Sequence, residues 1–404
     1  MVKKIRNDFP ALNQMINGHP LIYVDNASTT QNPMAVTDRL VKFYTTEYGN
    51  IYRGIYAVGE HATKLYEQAR NTVASYIGAH EDEVIFTQGT TEGINFIATA
   101  WGMNHLKAGD EIVLTELEHH ANLIPWQQVA RATGVTLKFI SVRADGTLNL
   151  DHLDTLITKK TKFVGCVHIS NALGTTNDIQ TIIRAARAVG APILIDAAQS
   201  APHIPLDVHA FDCDFLVFSG HKMCGPTGIG VLYIARRMFD TVPPYQFGGG
   251  MLSHATYQTA TWLKSPHRYE AGTPPIAQAI GLAAAIEYLK KNVDFKELHR
   301  HEASLCAQLI EGLSLMDHIQ ILGPIEQLKK EGHLVSFVVQ GMHAHDAAAY
   351  LDTYGIAVRA GHFCAQPLFA KLGIEAALRV SFYCYNTPFE VEKIVSVLGS
   401  LPRL

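Results

Sequence analysis

The stretch Val217-Phe218-Ser219-Gly220-His221-Lys222-Met223-Cys224-Gly225-Pro226-Thr227-Gly228-Ile229-Gly230-Val231-Leu232-Tyr233-Ile234 leaves one apolar run, crosses a glycine-rich turn and enters another apolar run. Runs this short and this apolar, bounded by turn residues, read as buried strands. Working outward, similar runs recur at 84–86, 111–115, 137–142, 163–169 and 193–195, separated by longer helical patterns. Such alternation predicts a mostly parallel, seven-stranded sheet covered by helices, an α/β architecture. Ligands of open α/β sheets gather at the carboxyl ends of the strands, so chemistry is expected just after these runs.

Beyond residue 234 the pattern changes. A Gly/Pro-rich connector at 243–250 precedes a helical pattern at 276–291 long enough to link two domains. Strand-like 334–339, 356–358 and 378–383 then mix with helical 345–354 and 389–401, which predicts a smaller α+β unit. The expected division is a large domain at 20–275 and a small one built from 1–19 and 276–404, with the N-terminal arm packed near the small unit. No fixed-period repeat points to a solenoid.

A chain of 404 residues with 48% hydrophobic and 17% charged residues has the balance of a well-packed globular protein. Its formal net charge is −4 and its lysines and arginines are scattered, so it shows no electrostatic footprint for nucleic acid or an anionic membrane. No apolar stretch approaches ~18 residues and residues 1–20 lack a signal-peptide core, which leads to the expectation of a cytoplasmic protein. The six cysteines, Cys166, Cys213, Cys224, Cys306, Cys364 and Cys384, form no C-x-x-C pair and are too few for a disulfide framework, so reduced thiols are expected.

Lys222 sits at a strand end, in a turn between two buried strands. A lysine is ordinarily a solvated surface charge. Imine-forming lysines instead need a desolvated, partly cationic pocket that lowers their pKa, and this turn can provide one. Ile193-Leu194-Ile195-Asp196-Ala197-Ala198-Gln199 places a carboxylate directly after an apolar strand. Asp196 is either a helix N-cap or, paired with Lys222, the carboxylate that keeps a pyridine nitrogen protonated and makes the ring an electron sink. Gln199 is then in reach of the ring hydroxyl.

Thr87-Gln88-Gly89-Thr90-Thr91-Glu92-Gly93 enters a helical pattern and reads either as an ordinary cap or as a phosphate seat, with Ser219 and His221 as further contacts. In Glu118-His119-His120-Ala121-Asn122 the adjacent histidines point in different directions and have no third ligand at helical spacing, so no metal site is expected. An imidazole stacked on a flat cofactor is the better functional reading of His119, with a part in proton transfer.

Together with Arg268-Tyr269-Glu270-Ala271-Gly272-Thr273-Pro274 and Arg359-Ala360-Gly361-His362-Phe363-Cys364-Ala365-Gln366-Pro367, these segments resemble the fold-type I pyridoxal-phosphate enzymes of aminotransferase class V, and within them the cysteine desulfurases. The short cysteine loop is similar to that of the SufS-type (group II) desulfurases, which serve iron–sulfur cluster assembly. The resemblance covers nearly the whole chain. It implies pyridoxal 5'-phosphate bonded to Lys222, with Asp196 on the pyridine nitrogen, His119 against the ring and Gln199 on the ring hydroxyl. Thr90, Thr91, Ser219 and His221 hold the phosphate, and Thr273 reaches the phosphate of a neighbouring subunit, which implies a homodimer. Asn171 and Arg379 receive the substrate carboxylate, and Arg359 flanks the cysteine loop. The implied reaction converts L-cysteine to L-alanine, with Lys222 taking the α-proton and Cys364 retaining the sulfur as a persulfide for an acceptor protein of SufE or SufU type.

Three positions depart from the family pattern: Phe363, where a second histidine is frequent; Gly250, where Glu or Ser is common; and Pro275, where Asn is frequent. Two rival readings stay open from the sequence. One is a selenocysteine lyase or other class V enzyme on the same scaffold. The other is a non-catalytic sulfur-transfer scaffold.

Overall fold

A computed structural model describes residues 5–401. The large sheet holds β1 (Val84–Thr87), β2 (Glu111–Thr115), β3 (Thr136–Ile140), β4 (Thr161–Val167), β5 (Ile193–Asp196), β6 (Phe215–Ser219) and β7 (Gly230–Ile234), in the order β1-β7-β6-β5-β4-β2-β3. Only β7 runs antiparallel, between β1 and β6; the remaining pairs are parallel. Every residue of β1, β2, β5, β6 and β7 is buried, as strands covered by helices on both faces require. The edge strand β3 is largely open to solvent.

Each sheet strand lies within a few residues of its sequence expectation. The carboxyl ends of β1, β2, β4, β5 and β6 therefore come together on one rim, carrying Thr90, His119, Asn171, Asp196 and Lys222 within a few residues of each end. Close packing at that rim depends on glycine. A Cβ on Gly230 would lie 2.7 Å from the Phe218 carbonyl oxygen and would strike Gly89, so the β1 and β6 ends can approach only across a bare backbone.

A second sheet of four antiparallel strands, β8 (Ile319–Leu322), β9 (Leu334–Val339), β10 (Arg359–Gly361) and β11 (Ala377–Ser381), is ordered β8-β9-β11-β10. Its own core of Leu305, Leu309, Phe337, Leu351, Val380 and Ile394 is distinct from the larger core around the seven-stranded sheet. The helix Ile276–Asn292 differs from the expected division at residue 275. Ile280, Leu282, Ile286 and Leu289 are buried in the larger core, because the helix is apolar on nearly every side and has to be covered all round. Besides Ile22 and Val24 of the arm, the separate core is first joined by the next helix, Phe295–Ser314, from Leu305 onward.

The N-terminal arm serves both cores. Ile22–Tyr23 pairs in parallel with Ile356–Ala357 beside the small sheet, and Arg6 pairs with Glu390. Phe9 packs on Tyr288 and Tyr385, and both Thr29 and Thr30 bond the carbonyl of His221. Among the described residues no helix is long and apolar enough to cross a membrane.

Candidate active site

A cavity of about 470 Å³ lies at the strand rim, lined by Thr90, Thr91, His119, Asn171, Asp196, Gln199, Ser219, His221, Lys222, Arg359, Cys364 and Arg379. Of the site residues expected from sequence, Thr273 alone lies elsewhere. It is exposed and borders a separate small cavity with Gln88, Glu92 and Gln246.

The wall formed by the large sheet is built locally. Asp196 ends β5 in register with Val167 and Val217 of its neighbours, which fixes it between two buried strands. No helix follows Asp196, so it is not an N-cap: its Oδ1 accepts from Ala198 N at 2.9 Å within a turn, and the carboxyl group lines the cavity. Burial raises its pKa, against the pull of the Ala198 N–H and of Lys222. Lys222 follows β6 in a single turn of 3-10 helix. Burial lowers its amine to about 8; Asp196 opposes this and Arg379 adds to it. A lysine pushed that far down holds a substantial neutral fraction near pH 8, the state in which an amine is a nucleophile or base.

Glu118-His119-His120-Ala121-Asn122 divides its labour by position. Glu118 and Asn122 turn inward: Glu118 accepts from Thr115 Oγ1 at 2.6 Å, Val167 N at 2.8 Å and Asn122 Nδ2 at 2.7 Å, joining the ends of β2 and β4. Burial lifts the Glu118 carboxyl to about 8 despite these donors. On this base the two imidazoles diverge, with ring centroids 6.3 Å apart and planes at 50°. His119 Nδ1 accepts from Ala121 N at 3.0 Å, which leaves Nε2 to carry the proton of the neutral ring. Burial, then the charge of Lys222, lowers its pKa to about 4, so the ring facing the cavity is neutral.

At the β1 end, Ser219 Oγ accepts from Thr90 N at 2.9 Å and lies 2.8 Å from Thr90 Oγ1, tying the start of the helix Thr90–Phe96 to the end of β6. Gln199 donates from Nε2 to Ala27 O at 2.7 Å, and its Oε1 lies 3.3 Å from His333 Nε2. The set fits a planar, anionic aldehyde such as pyridoxal phosphate. It offers hydroxyl groups beside a helix start, a carboxylate, a neutral imidazole and a lysine amine of depressed pKa around one cavity.

The opposite wall is assembled from distant segments. Arg359 and Arg379 are register partners on β10 and β11. Two adjacent guanidinium groups repel, and the arm relieves this: Asp25 pairs with Arg359 Nη2 at 2.8 Å and Arg379 Nη2 at 3.4 Å, while Ser28 Oγ accepts from both at 3.0 and 2.9 Å. Burial lowers the Arg379 pKa to about 10 although Asp25 raises it. Arg379 Nη1 donates to Asn171 O at 2.7 Å, but its buried Nε and the buried Asn171 Oδ1 have no partner. Unsatisfied buried groups beside a cavity are suited to a polar ligand. Asp25 and Ser28 went unread in the sequence because a single Asp in an Asp-Asn-Ala-Ser turn has no periodicity or spacing to mark it.

Cys364 is the one exposed thiol among the described residues. The loop carrying it takes an unusual backbone, with φ of 53° at Phe363 and 58° at Cys364. Phe363, the departure from the family pattern, lies under the Arg379 guanidinium at 4.9 Å and edge-on to Phe369. Gly250 has a φ of 87° and Pro275 precedes the helix Ile276–Asn292 as its cap, so both suit their backbone positions.

Known proteins resemble this chain along nearly its whole length. The family model for aminotransferase class V matches residues 22–394. A "Probable cysteine desulfurase" of Synechocystis sp. is 45% identical over 99% of this chain and 95% of its own length. A cysteine desulfurase of Haloferax volcanii is 43% identical over 100% and 97%. Among solved structures, the apo form of a cysteine desulfurase from Thermococcus onnurineus NA1 superposes with a TM-score of 0.94 at 40% identity, covering 98% of this chain and 97% of that one.

Proposed function

The chain belongs to the aminotransferase class-V family and is a pyridoxal-phosphate enzyme of the cysteine desulfurase kind; we propose that it moves the sulfur of L-cysteine onto Cys364. The observation that carries this reading is the meeting of an amine of lowered pKa, Lys222, and an exposed thiol, Cys364, in one cavity between Asp196 and His119. When bound, the cofactor supplies an electron sink next to the α-carbon of an amino acid.

The protein's own groups then have distinct tasks. Thr90, Thr91, Ser219 and His221 hold the phosphate, Asp196 holds the ring nitrogen, Gln199 meets the ring hydroxyl and His119 covers a ring face. Arg379 Nε and the remaining N–H of Asn171 Nδ2 receive the substrate carboxylate and so fix which bond faces Lys222. Lys222 Nζ takes the α-proton, helped by a pKa lowered by burial to about 8. Across the whole reaction the Cβ–Sγ bond of L-cysteine breaks, an S–S bond forms on Cys364, and the three-carbon product leaves as L-alanine after gaining a proton at Cβ.

The placement of Thr273 outside the cavity supports a homodimer in which it serves the partner's phosphate. Exposed Tyr44, Tyr48, Tyr52, Ile55 and Tyr56 form an apolar segment that such a partner would cover. The short loop supports delivery of the persulfide to a SufE- or SufU-type acceptor in the cytoplasm, in the SufS-type manner, for iron–sulfur cluster assembly. Intact-protein mass spectrometry after exposure to L-cysteine should find one added sulfur, located on Cys364, with stoichiometric alanine. Alanine production that persists in Cys364→Ala would remove the thiol from the mechanism.

A further inference from the structure

We propose that His120 sets the position of Cys364, as a positioning residue acting through the backbone of the cysteine loop. The inference rests on Cys364 being the sulfur acceptor and adds the group that aims it.

Three hydrogen bonds bracket the thiol. Asn171 Nδ2 donates to Phe363 O at 2.6 Å, His120 N donates to Cys364 O at 2.8 Å, and His120 Nε2 accepts from Gln366 N at 3.1 Å. Gln366 opens the helix Gln366–Leu372, so its N–H has no acceptor within the helix, and the imidazole supplies one. Two of the three bonds thus come from one residue, and they reach the loop at Cys364 itself and two residues beyond it.

The loop needs such restraint. Phe363 and Cys364 both have positive φ, a region that residues with a Cβ adopt only when their surroundings impose it. His120 does not line the cavity, so it does not touch the reacting atoms. Its neighbour His119 does line the cavity, and Glu118 and Asn122 anchor the dipeptide on both sides. One rigid turn therefore fixes the ring-facing imidazole and the thiol loop in a single frame. The distance between cofactor and thiol is set by consecutive residues although Cys364 lies far away in the chain.

The test compares His120→Phe, which keeps a ring but no acceptor, with His120→Gln, whose side-chain oxygen can take the place of Nε2. In the holoenzyme, amide hydrogen exchange of the 362–370 segment should quicken in His120→Phe and return toward wild type in His120→Gln. Single-turnover sulfur transfer from L-cysteine to Cys364 should slow by about tenfold in His120→Phe, a modest loss for a misplaced reacting group, and recover in His120→Gln. The visible absorption of bound cofactor should be the same in both. Wild-type exchange in His120→Phe, or equal impairment of the two variants, overturns the proposal. If His120→Phe does not bind cofactor, His120→Ala replaces it with the same expectations. A wild-type enzyme that leaves no sulfur on Cys364 sinks the desulfurase reading instead, and the exchange comparison still decides whether His120 holds the loop.

Discussion

The two walls of the cavity differ in how they are made. The sheet wall carries Lys222, Asp196, His119 and Thr90 at or just after strand ends of one sheet, where strand pairing brings them to a common rim and the Thr90–Ser219 and Glu118–Val167 hydrogen bonds tie down the loops. The loop wall carries Cys364, Arg359 and Arg379, held by Asp25 and Ser28 of the arm and by His120 and Asn171 of the large sheet's loops. The first is fixed by backbone hydrogen bonds inside one sheet. The second depends on side chains crossing between segments more than a hundred residues apart, and it is the wall that has to present a reactive thiol.

Loss of the sheet wall's chemistry should be the more severe. Lys222→Ala is expected to abolish the imine absorption of the cofactor and reduce turnover by at least about 10⁴-fold, the upper range for one positioned base. Absorbance and alanine release check this; a coloured, active variant would break the contrast at its root. Cys364→Ala should lower L-cysteine turnover by about 10³-fold while leaving the absorption intact, because it removes the nucleophile and no cofactor contact.

A stability difference should appear between the walls on acidification. On the sheet wall His119 has its pKa lowered by burial to about 4, and His203, buried outside the cavity beside Glu302 and His333, has its pKa lowered to about 3, both from 6.5. The unfolded chain therefore takes up protons before the folded one. Stability from these groups is whole above pH 6.5 and declines as pH falls toward 4, by on the order of 3 kcal/mol for each. Thermal unfolding between pH 7 and 4 should follow this decline, and His119→Asn should make it shallower; an unchanged slope would sever the link to the sheet wall.

On the loop wall, Asp25→Asn leaves two neighbouring guanidinium groups without their shared carboxylate. Because Arg379 is buried while Asp25 and Arg359 are partly open to solvent, the loss should be about 2 kcal/mol, below the ~3–5 kcal/mol of a fully buried pair, read by urea unfolding. The smallest effect is expected from Thr90→Val. Removing one hydroxyl near the phosphate seat should weaken cofactor retention by about 1 kcal/mol, or roughly fivefold in dissociation constant.

Legibility in the sequence followed the same divide. The seven strands were readable because strands buried on both faces are uninterrupted apolar runs, and the residues after them were readable because the strand-end rule needs no long-range contact. The helix Ile276–Asn292 was readable as a helix, but its membership was not: a helix apolar all round does not say against which core it packs. Asp25 and His120 were missed as functional groups for a related reason. Each acts on a partner that no local pattern names, and His120 was seen only as half of a discounted metal pair.

The sequence by itself determined the sheet, the order of chemistry along its rim and the family to which the chain belongs, since local hydrophobic period and short motifs encode these directly. Only the tertiary structure decided which carboxylate separates Arg359 from Arg379 and which imidazole holds the cysteine loop. Those are matters of charge balance and hydrogen-bond satisfaction between segments distant in the chain, and they become defined only when folding has removed water from between them.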